Sequence, residues 1–379
     1  MKKHMIKIQI LVVLVLWVAL TAAAWLKPPT EFSYSERRPL DQFPILSLET
    51  LDKGTFMKDF EEYTLDQFPL RDDFRTLKAL AAFGLFAQKD NNKIYLSNGQ
   101  AASLDPTFQP SSAAYASGRF QYIMEKYFAD SDANFYFSIV PDKSYYLAEA
   151  GGYLAMDYDL LVSTYRDVFS FAQYIDIMDT LSADKYYATD SHWKQEHLLP
   201  TAEKLANAMG IADSIWKDYS VKETEVPFYG VYYGQAALPL KPDSIQYLTN
   251  DLLEACTVYN WEKKETTGIY NLSKLESRDP YEVFLSGASP LLIIDNPNAK
   301  SDKELIVFRD SYGSSMIPLL TGAYSRVTVI DTRYIHPDML EGEVDFASAD
   351  DVLFLYSTTV LNSSRSLSPS VASVLSYQA

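Results

Sequence analysis

Apolar runs of strand length alternate with segments of helical spacing over most of the chain. The runs with the clearest strand character are Asn134–Val140, Glu304–Arg309, Arg326–Ile330 and Asp351–Tyr356. Between them, apolar residues recur every three or four positions, which predicts helices over Ser112–Phe128, Leu160–Ala172, Trp193–Met209 and Ser314–Gly322. Elements that alternate in this way predict an α/β fold with a mostly parallel sheet and helices on both faces.

The first 29 residues have the pattern of an export signal. Three of the first seven residues are lysines, and the uncharged apolar run Ile10–Leu26 follows them. The run is slightly shorter than the ~20 residues of a standard membrane-spanning helix, so a signal anchor and a cleaved signal peptide both stay open. Trp25 at its end favours the anchor, and the lysines before it place the rest of the chain outside the cytoplasm.

A helical or linker region over residues 30–88 is predicted next, followed by a main domain over residues 89–379. The linker region contains the motif Leu-Asp-Gln-Phe-Pro twice, at Leu40–Pro44 and Leu65–Pro69. Inside the main domain the pattern weakens over residues 213–289, where the aromatic stretch Phe228–Gly234 predicts a glycine-bent loop or hairpin. We interpret residues 213–289 as an insertion.

Composition narrows the possible functions. A formal net charge of −17 argues against nucleic acid or an anionic membrane surface as the main partner. The single cysteine, Cys256, excludes an intramolecular disulfide and is expected to be a buried apolar residue. Four scattered histidines and one cysteine give no metal-ligand pattern, so we expect neither a metal nor another cofactor.

The candidate chemistry lies in the stretch Tyr187–Trp193. It places Asp190 two residues before His192, and an extended Asp-x-His segment points both side chains to one face. The carboxylate could then hold one ring nitrogen while the other faces a nucleophile. The best nucleophile is Ser311, which follows the apolar run Glu304–Arg309 at a predicted strand-to-helix turn. Alternatively, Asp190 and Ser311 cap the helices that follow them, and His192 is a satisfied core residue.

Several motifs, in this order, resemble the bacterial DHHW family. They are Asp66-Gln67-Phe68-Pro69-Leu70-Arg71, Val140-Pro141-Asp142-Lys143, Thr189-Asp190-Ser191-His192-Trp193, Phe308-Arg309-Asp310-Ser311-Tyr312-Gly313 and Ile330-Asp331-Thr332-Arg333-Tyr334. That family is similar to the SGNH-hydrolase-like proteins that O-acetylate alginate and other exopolysaccharides. The resemblance runs from about residue 36 to the C-terminal region. This chain departs from the family in having Ser191 where the namesake motif has its first histidine.

The resemblance implies an SGNH-hydrolase-like fold and an Asp190–His192–Ser311 triad that forms an acyl-serine intermediate. Asp-His precedes the serine here, the reverse of ordinary SGNH hydrolases, so their oxyanion-hole residues cannot be transferred by position. Further candidates for substrate contact or support of the triad are Arg309, Asp310, Arg333, Tyr334 and Trp193. For Arg309, Arg333 and Tyr334, a structural salt bridge or a core phenol is an equal explanation.

The expected function is O-acetyl transfer to, or acetyl-ester hydrolysis on, a cell-surface or secreted polysaccharide. Water as acceptor of the acyl group makes an esterase, and a sugar hydroxyl makes a transferase. The acyl donor would come from a membrane acyltransferase, and the chain would be tethered to the membrane by one helix. The alternative is a non-catalytic envelope protein that binds glycan or a partner. A separation above about 6 Å between Ser311 Oγ and both ring nitrogens of His192 would favour that alternative.

Overall fold

The computed structural model describes residues 2–367, which divide into two compact units. Of the described residues, the first unit comprises 2–92 together with Tyr233–Leu240, and the second comprises Lys93–Tyr232 and residues 241–367. The helices are α1 Lys2–Leu26, α2 Leu48–Asp52, α3 Thr55–Asp66, α4 Arg71–Leu80, α5 Pro110–Tyr127, α6 Ser144–Leu147, α7 Tyr158–Val168, α8 Leu199–Ala208, α9 Val231–Ala236, α10 Asp251–Glu254, α11 Gly313–Leu320 and α12 Thr358–Asn362.

Strands are distributed over both units. They are β1 Phe32–Ser33, β2 Arg38–Pro39, β3 Asp90–Asn91, β4 Ile94–Ser97, β5 Gln100–Ser103, β6 Asn134–Val140, β7 Gln173–Tyr174, β8 Ser220–Phe228, β9 Asp243–Thr249, β10 Thr257–Asn260, β11 Glu265–Thr267, β12 Leu291–Asp295, β13 Glu304–Arg309, β14 Arg326–Ile330 and β15 Asp351–Ser357. A π-helical turn, Ala81–Leu85, continues directly from α4.

The first unit contains α1 and a small helical region. α1 is uncharged over most of its length, and its segment His4–Leu26 has a mean hydropathy of 2.3. This helix is long and apolar enough to cross a membrane. The two copies of the Leu-Asp-Gln-Phe-Pro motif meet here, because Asp66 Oδ2 accepts the N–H of Asp41 at 2.9 Å. Gln67 Nε2 donates to the Asp41 carbonyl at 3.0 Å, so the second copy holds the first in place.

The second unit is built on a large, mostly parallel sheet. Within the described residues, its strand order is β11-β10-β12-β14-β13-β15-β6-β7. The pairs from β14 through to β7 are parallel, and β12, β10 and β11 extend the sheet with antiparallel pairs. The α/β fold with a mostly parallel sheet is therefore confirmed, and β10 and β11 show how part of residues 213–289 contributes to it.

Both faces of the sheet are covered by helices. Along β13, Leu305 and Val307 belong to one buried apolar cluster, while Ile306 and Phe308 belong to another. α8 and α11 contribute to the first cluster, and α5, α7 and α12 contribute to the second. A parallel strand covered on both sides needs apolar residues at successive positions, which is why β13 reads as a continuous apolar run.

The carboxyl end of β13 is where the chain changes direction across the sheet. β13 lies between β14 and β15 in the sheet. The chain therefore passes from β13 to β14 on one side and then crosses to β15 on the other side of β13. Ligands in open α/β sheets bind in the crevice that such a reversal leaves at the carboxyl ends of the strands. Asp310 and Ser311 follow β13 at this point.

Candidate active site

The stretch Tyr187–Trp193 forms a tight loop rather than the extended segment that the sequence predicts. Tyr186 and Trp193 form an antiparallel bridge at its base, and the N–H of Tyr187 donates to the carbonyl of His192 at 3.1 Å. Asp190 Oδ1 accepts the backbone N–H of His192 at 3.0 Å. The carboxylate therefore turns the chain back on itself, and this turn brings both side chains to the same place.

Asp190, His192 and Ser311 form a continuous hydrogen-bonded line. Asp190 Oδ1 lies 2.6 Å from His192 Nδ1, and His192 Nε2 lies 2.8 Å from Ser311 Oγ. Asp190 is fully buried, whereas the His192 side chain keeps 12% of its surface exposed. This line fits an imidazole whose Nδ1 carries the proton and whose Nε2 accepts the serine hydroxyl.

The second oxygen of Asp190 is fixed by a close approach of another segment. Asp190 Oδ2 accepts the N–H of Val231 at 2.8 Å, and Thr189 Oγ1 accepts the N–H of Gly230 at 2.9 Å. A Cβ at Gly230 would lie 2.3 Å from the Asp190 Cβ and 2.4 Å from the Thr189 carbonyl oxygen. Only a glycine fits at this distance, so the bend after Phe228 places the N–H donor beside the carboxylate.

Asp243 and Lys143 form hydrogen bonds with the backbone of the residues directly before Asp190. Asp243 accepts the N–H groups of Ala188 and Thr189, each at 2.8 Å, and the Thr189 hydroxyl at 2.7 Å. Lys143 Nζ donates to the Tyr187 carbonyl at 2.7 Å and lies over the Tyr232 ring. Burial lowers the pKa of Lys143 to about 7, against the opposing effects of Asp190 and Asp243. Neither role is predicted from the sequence.

Ser311 stands between the end of β13 and the start of α11. Asp310 is fully buried and fixes this turn, since Oδ2 accepts the N–H of Ser357 at 2.7 Å and Oδ1 accepts the N–H of Tyr312 at 3.1 Å. Among residues 2–367, the N–H of Ser311 has no hydrogen-bond acceptor. This N–H is therefore available to an oxygen bound beside Ser311 Oγ.

Aromatic side chains enclose the imidazole. The Tyr281 ring stacks on His192 with centroids 3.9 Å apart and an interplanar angle of 12°. The Tyr312 hydroxyl donates to the Ser191 carbonyl at 2.7 Å. Trp193 is buried and donates its indole N–H to Ser315 Oγ at 2.8 Å, so it ties the loop to α11. Tyr281 lies outside the motifs that pointed to the site, and no local pattern singles it out.

Arg309 and Arg333 meet at Asp331. Arg333 donates to both oxygens of Asp331, at 2.9 and 2.7 Å, and its guanidinium lies 5.3 Å from the centre of the Tyr334 ring. Arg309 is fully buried, and its Nη1 lies 3.6 Å from Asp331 Oδ2. Burial lowers the pKa of Arg309, although Asp331 opposes this effect. Tyr334 is exposed, so its role and that of Arg333 in substrate contact stay predictions.

Cys256 and Asp142 are not part of the hydrogen-bonded line Asp190–His192–Ser311. Cys256 is buried, as expected, and burial raises the pKa of its thiol to about 12. Asp142 is buried and accepts hydroxyl hydrogen bonds from Tyr158 and Thr358, so it fixes the end of β6. Within residues 2–367, no group of three or more histidine, cysteine, aspartate or glutamate side chains is placed to hold a metal ion.

Known proteins show a likeness at the level of fold. No protein-family model matches this sequence, and no curated protein matches it. A DHHW family protein from Eubacterium siraeum is similar in structure, with 21% identity, a TM-score of 0.58, and coverage of 73% of this chain and 95% of that chain. PatB1 from Bacillus cereus, solved with a sulfonyl adduct, is also similar in structure, with 16% identity and a TM-score of 0.52. The match covers 71% of this chain and 94% of that chain.

The O-acetyltransferase domain of Pseudomonas putida AlgJ is a more distant match, at 13% identity and a TM-score of 0.44 over 74% of this chain and 94% of that chain. The resemblance to the DHHW family is thus confirmed for the fold. The order of Asp190, His192 and Ser311 along the chain, and their meeting at one point, are properties of this chain itself.

Proposed function

We propose that this protein is a serine-dependent acyl-ester enzyme that acts outside the cytoplasm as an O-acetyltransferase or acetylesterase on a cell-surface or secreted polysaccharide. The observation that carries the proposal is the unbroken line from Asp190 through His192 to Ser311 Oγ. The separation of 2.8 Å between Nε2 and Oγ is well inside the limit of about 6 Å beyond which the non-catalytic alternative would be preferred.

The reaction begins with attack of Ser311 Oγ on the acyl carbonyl carbon of an ester. His192 Nε2 takes the hydroxyl proton, and Asp190 stabilises the resulting imidazolium through Nδ1. The carbonyl π electrons move to oxygen, where the N–H of Ser311 donates to the oxyanion. The tetrahedral intermediate then expels the donor alcohol, which takes the proton from Nε2, and an acyl-Ser311 ester remains.

The second half of the reaction transfers the acyl group. His192 Nε2 removes a proton from an incoming hydroxyl, whose oxygen attacks the acyl carbon of Ser311. Collapse of this intermediate breaks the bond to Ser311 Oγ and returns the proton to the serine. Water as the attacking group gives acetate, and a sugar hydroxyl gives an acetylated polymer. Arg333 and Tyr334, at the carboxyl edge of the sheet, are the candidates for contact with that polymer.

The fold of the structural neighbours supports this proposal. PatB1, which has this fold at a TM-score of 0.52, carries a sulfonyl adduct. An apolar helix that could span a membrane, α1, supports an anchored protein whose bulk lies outside the cytoplasm. A membrane acyltransferase as acyl donor and a polysaccharide as acceptor are further parts of the proposal.

The test uses a chromogenic acetyl ester and a sulfonyl fluoride. We expect slow acetate release and covalent sulfonylation at Ser311. Both should fall by about 10³-fold or more in Ser311→Ala, because the members of a triad act as a unit. Ser314→Ala is the matched control, since Ser314 is buried three residues further on in α11. Equal turnover in Ser311→Ala and wild type would refute the nucleophile assignment.

The acceptor and the location need separate measurements. Addition of an oligosaccharide to the same assay distinguishes transfer, which acetylates the sugar, from hydrolysis, which releases only acetate. Protease added to intact cells should digest the protein if α1 anchors it with its bulk outside. A full-length chain that is protected from the protease and recovered in the cytosol would contradict the proposed location.

A further inference from the structure

Helix α4 presents its charged and apolar sides in the reverse of the usual arrangement. Arg71 and Arg75 keep only 16% and 17% of their side-chain surface exposed. Phe74 and Leu77 of the same helix are 42% and 61% exposed. A surface helix in water normally turns its apolar side inward, so this arrangement indicates that something covers the outer side.

Ion pairs fix this orientation of the helix. Arg71 Nη2 lies 3.2 Å from Asp66 Oδ1, and Arg75 Nη2 lies 3.1 Å from Glu36 Oε1. Arg75 Nη2 also donates to the Gly234 carbonyl at 2.7 Å. Rotation of α4 to bury Phe74 and Leu77 would break these pairs and leave Arg38 to face both carboxylates, which is costly. The apolar side therefore stays outward.

The outward apolar side continues beyond α4 into the π-helical turn. We define the α4 outer face as the large apolar side chains that are exposed from Leu70, directly before α4, to Phe86, directly after this turn. Its members are Leu70, Phe74, Leu77, Leu80, Leu85 and Phe86. Large apolar side chains exposed in this number along one short segment mark contact with a partner or a membrane. The exposed charged residues of α4 are Asp72, Asp73 and Lys78.

The α4 outer face is continuous with the candidate membrane helix. The Phe68 ring packs edge-on against Phe74 with centroids 5.4 Å apart. Phe68 also lines a cavity of about 390 Å³ together with Trp17 and Trp25 of α1. A path of apolar side chains thus leads from the last turns of α1 to Phe74 within the first unit. The end of a membrane-spanning helix lies at the bilayer surface, so the face that adjoins it lies there too.

We propose that the α4 outer face lies on the surface of the lipid bilayer in which α1 is anchored. The proposal rests on the membrane anchoring in the proposed function and not on the chemistry of Ser311. Apolar contact, rather than charge, is the driving force, because Arg71 and Arg75 are already engaged by carboxylates of their own unit. α4 is therefore held at the bilayer surface and is not part of a flexible linker.

The experiment places a fluorescent label on the α4 outer face of the full chain. Cys256→Ala removes the native thiol, and Leu77→Cys or, separately, Leu85→Cys carries an environment-sensitive dye. The protein is reconstituted in phosphatidylcholine vesicles with or without lipids that bear a nitroxide at a shallow acyl position. Glu203→Cys is the matched control, because Glu203 is an exposed helical position of α8 in the other unit.

We expect the nitroxide lipids to reduce the emission of both outer-face labels about twofold or more, with little effect on the Glu203→Cys label. Outer-face labels that are no more quenched than the control, in protein that floats with the vesicles, would overturn the proposal and leave the anchor intact. A blue-shifted but unquenched label would overturn it too, because protein would then cover the face. Protein that fails to float would overturn both the anchor and this proposal, while ester hydrolysis reports separately on Ser311.

Discussion

Replacement of Asp190 by asparagine tests the proposed chemistry at a single atom. Both carboxylate oxygens of Asp190 accept N–H hydrogen bonds: Oδ1 from the backbone and ring of His192, and Oδ2 from Val231. Asparagine keeps the shape of the side chain but replaces one acceptor oxygen by an NH2 donor. One of these hydrogen bonds must therefore fail in either orientation of the amide.

The two orientations predict different kinds of damage. An NH2 group at the Oδ1 position faces the His192 ring, so Nδ1 must become the acceptor, the ring proton moves to Nε2, and Ser311 loses its base. An NH2 group at the Oδ2 position opposes the N–H of Val231 and leaves a neutral partner beside the imidazolium. Turnover should fall by about 10³–10⁴-fold in either case. The free energy of unfolding should fall by about 1–3 kcal/mol.

Asp243→Asn is the matched control for this substitution. Asp243 also accepts three hydrogen bonds from the same loop, at 2.7–2.8 Å, but it does not bond to the ring of His192. Urea unfolding should give similar losses of stability for the two variants, whereas ester hydrolysis should fall far more in Asp190→Asn. Equal losses of turnover in the two variants, or near-normal turnover in Asp190→Asn, would refute the role given to Asp190.

Two further predictions concern the residues around the loop. Gly230→Ala should lower turnover about tenfold or more, because the added Cβ would lie 2.3 Å from the Asp190 Cβ and must push Asp190 aside. Gly118→Ala in α5 is the control and should leave turnover unchanged, because an added Cβ there has no atom within 4 Å. Equal turnover in the two variants would contradict the close approach of Gly230 to Asp190. Lys143 has a pKa of about 7 when folded and 10.5 as a free side chain, so the folded protein has lost a proton that the unfolded chain keeps between these values. The free energy of unfolding should therefore rise from pH 7 towards pH 10 with a contribution of at most about 1.4 kcal/mol per pH unit, and this contribution should be absent in Lys143→Met. Parallel pH curves for wild type and Lys143→Met in urea unfolding would show that Lys143 is not buried in this way.

The central strands could be predicted from the sequence because their signals are local. Asn134–Val140, Glu304–Arg309 and Arg326–Ile330 match the structure at both ends. Each is an apolar run bounded by charged or turn residues, and each is buried on both faces of a parallel sheet. The alternation of these runs with helical segments then determines the fold class.

The prediction of a helix starting at Trp193 was wrong for a long-range reason. Trp193 belongs to the bridge at the base of the loop Tyr187–Trp193, and its indole N–H bonds to Ser315 in α11. α8 begins only at Leu199, where Pro200 occupies the first turn. Proline at that position is a common helix start, so this one boundary could have been found from the sequence.

The remaining parts of the site depend on partners that are distant in sequence. Residues 228–234 contain the end of β8 and the first part of α9. They contribute to the site because the N–H of Val231 donates a hydrogen bond to Asp190. Lys143 is buried where its Nζ donates to the carbonyl of Tyr187, more than 40 residues further along the chain. Tyr281 stacks on His192 across 89 positions of sequence. No local pattern of apolar and polar residues encodes such meetings.

The fixing of Asp310 by Ser357 also has a consequence for biogenesis. Ser311 lies 119 residues after His192 in the chain, and the turn that holds it is fixed by β15, which begins 40 residues later still. Contacts between such distant segments form late in folding, because closing the long intervening loops costs entropy. A chain whose synthesis has not yet reached β15 thus contains His192 and Ser311, but the turn that holds Ser311 is not yet fixed. Under the proposed function, reactivity towards acyl esters should therefore arise only once β15 has joined the sheet.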